Sequence, residues 1–327
     1  MLWTPDIQID QDPQVRVLLK RGEMLDSSRH NDDGSARKIP FKVYYPDGHD
    51  QERLPVVIWS HGFGGSQDGA GFLSRFIAAH GYVVVHPTHI GTDSSLWEGK
   101  AGHPWDILRQ TKVSRLTTLN RFLDIPYLLN ELPHWALENP DPGRFMDFEA
   151  IGMSGHSFGA LSTQIAAGQY FADEDQKLIR LREERIKAGI LYSPVPVAEH
   201  LLDKIVDLGG TNIYQPIEIP LLHMTGTLDD APIGGMAYDH RLVVFENSGH
   251  DEKFLLVKDG ADHMVYNGTR GKLERNPDRD THEALIKAFS LAYWEAYLKG
   301  DERAMEWLKS TAASDYLGQR GSFKNAV

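Results

Sequence analysis

The 327-residue chain contains no cysteine. That excludes disulfides, thiolate metal sites and a cysteine nucleophile, and leaves serine as the obvious side chain for covalent chemistry. No apolar run approaches the roughly 18 residues that suggest a membrane span. No internal repeat or low-complexity tract interrupts the chain. The opening stretch, MLWTPDIQIDQDPQ, has neither a basic n-region nor an apolar h-region, so no secretory signal is expected. A cytoplasmic location follows if Met1 is the natural start. Positive charge is also short, with 34 Lys and Arg against 46 Asp and Glu and a formal net charge of −12. That balance disfavours nucleic acid and anionic membrane as partners.

What is present is enough apolar material, 41% of residues, for a substantial core. Short apolar runs alternate with helical stretches, which predicts an α/β protein with βα units on a mostly parallel sheet. RKIPFKVYYP (37–46) reads as an early strand, and VRVLLK (15–20) as its antiparallel edge. LPVVIWS (54–60), GYVVVHP (81–87), FEAIGMS (148–154), IKAGILY (186–192), IPLLHMTG (219–226) and KFLLVKDG (253–260) complete the series. Between Trp105 and Trp135 an amphipathic stretch sets Leu116, Leu119, Leu123 and Tyr127 on one face, and Pro126 either kinks it or starts a second helix. ALIKAFSLAYWEAYL (284–298) is a strong closing helix. No linker divides the chain, so one domain over 1–327 is expected, with its core at about 37–299. Two segments read as rim insertions able to form a lid: 88–114, and the highly charged 171–186, expected to be a solvated helix.

The chemistry centres on GMSGHSFGAL (152–161), where Gly155, Ser157 and Gly159 give the pattern G-x-S-x-G after an apolar run. In that pattern a strand turns sharply into a helix and presents the serine hydroxyl over the sheet edge. Ser154 is not the elbow, because His156 stands where its second glycine should be. A serine needs a general base, and the base needs an orienting carboxylate, in the chain order Ser, Asp or Glu, His. TLDDAP offers Asp229, one short turn past a strand, with Asp230 as the alternative. His263 directly follows a late strand and is preferred as base over His250, which precedes it. An oxyanion would need backbone donors, for which Phe158, next after the serine, and Phe63 in SHGFGGSQ are the candidates. That glycine loop lacks the Lys and Ser/Thr of a phosphate-binding P-loop. Phe63, His156, His89 and Trp105 are the expected substrate contacts, with Trp97 and Tyr192 as further pocket aromatics or core. His86, His89, Asp93 and His103 invite a metal reading, but the short loop does not by itself supply three convergent ligands.

With WSHGFGGS (59–66), GMSGHSFGA (152–160), HMTGTLDDAP (223–232) and GADHMVYNG (260–268) in hand, the chain resembles the α/β-hydrolase superfamily over roughly residues 37–299. Within it the chain looks most like dienelactone-hydrolase-like and platelet-activating-factor-acetylhydrolase-like serine esterases, with cutinase-type polyesterases and chlorophyllases nearby. The resemblance implies an α/β-hydrolase fold, Ser157 as nucleophile, Asp229 as orienting acid, His263 as base, and Phe63 and Phe158 as amide donors. It implies no cofactor, and a small-molecule or polymeric ester as substrate. Dienelactone hydrolases themselves use cysteine, so a plain carboxylesterase is the expectation here. The same residues acting as an amidase, thioesterase, acyltransferase or perhydrolase, or an idle fold serving as a binding module, are the alternatives.

Overall fold

β-Branched and aromatic residues crowd the short apolar runs, and such residues suit strands covered on both faces. A computed structural model describes residues 15–48, 53–172, 175, 177–197, 212–268 and 276–326; the opening stretch 1–14 lies outside them. The strands are β1 (Val17–His30), β2 (Ala36–Pro46), β3 (Leu54–Ser60), β4 (Val83–Pro87), β5 (Met146–His156), β6 (Tyr170–Ala172), β7 (Leu178–Arg180), β8 (Ile186–Tyr192), β9 (Leu221–Leu228), β10 (Lys253–Asp262) and β11 (Gly321–Ala326). Nine of them form one sheet in the order β1-β2-β4-β3-β5-β8-β9-β10-β11. The run from β4 to β10 is parallel, while at one edge β2 pairs antiparallel with both β4 and β1, and at the other β11 pairs antiparallel with β10.

Alternation along each strand feeds two cores. Val57 and Trp59 of β3 join α1 (Gly71–Ala79) and the long helix at Arg279–Leu298 on one face. Val56 and Ile58 point the other way, toward residues of the Arg115–Glu138 helix and of Phe158–Ala166. Among the described residues the remaining helices of six residues or more are, in chain order, α2 (Pro104–Gln110), α3 (Arg115–Glu138), α4 (Phe158–Ala166), α5 (Leu242–Asn247), α6 (Arg279–Leu298), α7 (Glu302–Lys309) and α8 (Ala312–Leu317). Among the described residues no helix is long and apolar enough to cross a membrane.

Three expectations are corrected. The 105–135 stretch is two helices, because Ser114 caps α3 by accepting the Thr117 N–H at 2.9 Å. Pro126 and Pro133 both lie inside α3. The buried face of α3 is also not Leu116, Leu119, Leu123 and Tyr127. It carries Arg121, Asp124, Ile125, Leu128 and Leu132, while Leu116 is 42% exposed. Third, 171–186 is no helix among its described residues: β6 and β7 pair there as a small antiparallel ribbon.

Candidate active site

β5 runs up the middle of the parallel sheet and ends at His156; α4 begins at Phe158, so Ser157 alone makes the turn. Its backbone sits at φ 56° and ψ −116°. A positive φ on a residue with a Cβ costs on the order of 1–3 kcal/mol and persists only where the surroundings enforce it. The enforcement is steric. A Cβ on Gly155 would fall 2.3 Å from the Gly159 carbonyl, and one on Gly159 would fall 1.9 Å from Ser60 O. The Ser157 N–H donates to Tyr192 O at 2.9 Å, which fixes the turn to β8.

A cavity of about 760 Å³ opens over this turn, lined in part by Phe63, Trp105, His156, Ser157, Phe158 and His263. Ser157 and His263 share it, with no hydrogen bond joining them in this structure. Asp229, fully buried beyond the end of β9, lies behind the histidine: His263 Nδ1 donates to its Oδ1 at 2.6 Å. Its Oδ2 accepts from Ser193 Oγ at 2.7 Å and Thr225 Oγ1 at 2.9 Å. Burial alone would raise the Asp229 pKa, but the charge and hydrogen bond of His263, then Arg241, then the Ser193 hydroxyl outweigh it and hold the carboxyl down at about 2. Asp230 is exposed and, among the described residues, accepts only the Tyr238 N–H at 3.2 Å, and His250 turns its Nδ1 to the Glu252 N–H at 3.0 Å. It is Asp229 and His263 that meet.

The glycine loop after β3 is oriented by histidine. His61 Nε2 accepts the His89 N–H at 2.9 Å, so Nδ1 carries the ring proton and donates to Gly62 O at 2.7 Å. Gly62 O also accepts the Gly65 N–H at 3.0 Å. Across that trans peptide the Phe63 N–H must point the opposite way. It has no protein acceptor among the described residues, and neither has the Phe158 N–H, the first of α4. Beneath the loop Arg121 donates to Ser60 Oγ (3.1 Å), Thr92 Oγ1 (2.7 Å), Ser162 Oγ (2.9 Å) and His61 O, and its guanidinium lies 4.4 Å over the Phe158 ring.

His89, an expected substrate contact, belongs to this buried support and does not line the cavity. It is 0% exposed, donating from Nδ1 to Asp124 Oδ2 at 2.9 Å and accepting Ser60 Oγ–H at Nε2 at 3.0 Å. Burial foremost, with Arg121 adding to it, pulls its pKa down to about 4 despite Asp124. Asp124 also takes Arg37 through two bonds at 2.9 and 2.5 Å. His156 does line the cavity. Its ring lies 4.6 Å from that of His263, and burial, then His263, hold its pKa well below the ordinary value. Trp97 lines the cavity as well, whereas Tyr192 is core, its hydroxyl 2.8 Å from Ser290 Oγ. His86 pairs with Ser74, Asp93 with Ser95 and Gly91, and His103 accepts the Trp105 N–H. Among the described residues no three His, Asp or Glu are grouped to hold a metal.

Sequence reasoning missed Arg241 and Arg121. Arg241, 1% exposed, lines the cavity, lies 3.2 Å from Asp229 Oδ1 and donates to the backbone oxygens of Asp229 and Pro194. Nothing in MAYDHRLVVF marks it, since a lone arginine in a charged stretch reads as solvated. No protein-family model matches the chain, and no curated protein sequence matches it.

Proposed function

We propose that this protein is a serine hydrolase of the α/β-hydrolase fold that cleaves carboxylic esters. One observation carries the reading: Ser157, on a sterically enforced turn, shares a cavity with a histidine whose Nδ1 is bound to a buried carboxylate held ionised. The strand order of the sheet supports it, as does the position of the elbow between β5 and α4.

In this mechanism Ser157 Oγ attacks the ester carbonyl carbon as His263 Nε2 takes its proton. The contact between them tightens when substrate enters, as acid–base contacts do on forming the Michaelis complex. The carbonyl oxygen gains the negative charge and is met by the Phe63 and Phe158 N–H groups, two donors with no protein acceptor among the described residues. The ester C–O bond then breaks, and His263 returns its proton to the departing alcohol. Water, deprotonated by the same histidine, attacks the acyl carbon; the bond from that carbon to Ser157 Oγ breaks, His263 returns its proton to Oγ, and the acid leaves. Asp229 stays ionised throughout, holding the imidazole in the tautomer that leaves Nε2 free to accept. None of these steps calls for a cofactor.

The test is hydrolysis of p-nitrophenyl butyrate by wild type and Ser157→Ala, with circular dichroism to verify folding. The mutant is expected to lose about 10⁴-fold or more in kcat. A folded Ser157→Ala protein within tenfold of wild type would overturn the proposal.

A further inference from the structure

Resting on that reading, we infer that the acyl half of the substrate is a bulky, apolar, uncharged group, and that an acyl chain carrying a carboxylate is rejected. His263 must stand beside the departing oxygen, and the 62–65 loop beside the carbonyl oxygen. The acyl group is therefore directed away from His263, past the loop. The wall it meets there comes from the 88–114 segment: Trp97, Trp105, Leu108 and Val113 all line the cavity. Leu108 is packed directly on Gly64, since a Cβ added to that glycine would fall 2.7 Å from the leucine Cδ1. Trp105 precedes Leu108 by three residues on α2 and so shares its face.

This wall is built in place. Trp97 Nε1 donates to Gly64 O at 2.7 Å, and the Gly64 N–H donates to Thr92 O at 2.8 Å, so the segment is fixed to the glycine loop at two points. Across the rim Arg109 Nε donates to Pro232 O at 3.1 Å, joining α2 to the opposite wall, where Pro232 and Met236 also face the cavity. Among the described residues the lining contains no lysine, aspartate or glutamate. The one fixed charge among these described residues, Arg241, sits at His263 on the leaving-group side and is countered by Asp229 at 3.2 Å. An anionic group on the acyl chain would lose its hydration against indole and leucine and meet no unpaired cation among the described lining residues.

The experiment compares kcat/KM for three p-nitrophenyl esters: acetate, octanoate, and the mono-ester of suberic acid, which has the octanoyl length and ends in a carboxylate. Octanoate is expected to exceed acetate by at least about tenfold and suberate by at least about 100-fold. Trp105→Glu places a carboxylate on the wall at the second residue of α2, where the helix tolerates it, and lowers octanoate turnover by about tenfold or more. Acetate equal to octanoate, or suberate within about threefold of it, would overturn the acyl inference while leaving the esterase reading standing. If no ester is cleaved but a fluorophosphonate modifies Ser157, the nucleophile survives and the acyl inference falls. If neither occurs, both fall.

Discussion

Replacing Asp229 by Asn tests the hydrogen-bond logic behind the proposed mechanism. Oδ2 accepts from two hydroxyls, Ser193 at 2.7 Å and Thr225 at 2.9 Å. An Asn side chain satisfies both by keeping its carbonyl oxygen there. Its NH₂ then falls where Oδ1 was, opposite His263 Nδ1 at 2.6 Å and close to Arg241 Nε at 3.2 Å. An amide NH₂ cannot accept a proton from Nδ1, so the ring moves its proton to Nε2. Nε2 can then no longer take the proton of Ser157. We expect kcat to fall by about 10³–10⁴, or about 4–5.5 kcal/mol of barrier. The assay is steady-state hydrolysis of p-nitrophenyl butyrate between pH 6 and 10, with Asp230→Asn as control. The control should stay within about threefold of wild type, because surface substitutions away from buried features change little. A folded Asp229→Asn protein keeping more than a tenth of wild-type kcat would refute the reasoning, as would an equal loss in Asp230→Asn.

Other outcomes follow from the buried contacts. Arg121→Leu strips donors from His61 O and Thr92 Oγ1 in a dry interior; it should cost about 3–5 kcal/mol in urea denaturation, and a loss under about 1 kcal/mol would contradict the role given to it. Gly159→Ala drives a Cβ to 1.9 Å from Ser60 O; the cost should be about 3 kcal/mol or more, and a variant as stable as wild type would show that the turn relaxes freely. Burial foremost depresses His86 to about 3 and His89 to about 4, so both stay neutral in the native state while the unfolded chain protonates near 6.5. Their contribution is complete above pH 6.5 and is lost as pH falls. By pH 5 each has lost about 2 kcal/mol relative to high pH, about 4 together. Urea stabilities at pH 7 and 5 that agree within about 1 kcal/mol would contradict this.

The elbow was readable because its two glycines answer to sterics, and a Cβ at either meets backbone. Asp229 and His263 were readable from position, each closely following the end of a parallel strand. His89 was misplaced because a histidine ending a strand looks the same in sequence whether it meets a ligand or a buried Asp124. The face of α3 was misread for a related reason. Its buried side carries Thr117, Asn120, Arg121 and Asp124, polar residues satisfied only by partners far away in the chain. In 171–186, strong helix formers gave way to the pairing of β6 with β7 and to Phe171 packing edge-on against Phe122. β11 left no apolar run to find: GSFKNA is a strand because β10 offers it an open edge, with Phe323 stacked on Phe254.

The most direct test of the central claim is covalent. Wild-type protein is incubated with a fluorophosphonate, digested, and mapped by mass spectrometry. The account predicts one adduct, on Ser157, absent in Ser157→Ala and formed far more slowly in Asp229→Asn. No adduct on folded protein, or an adduct on a different residue, would contradict it.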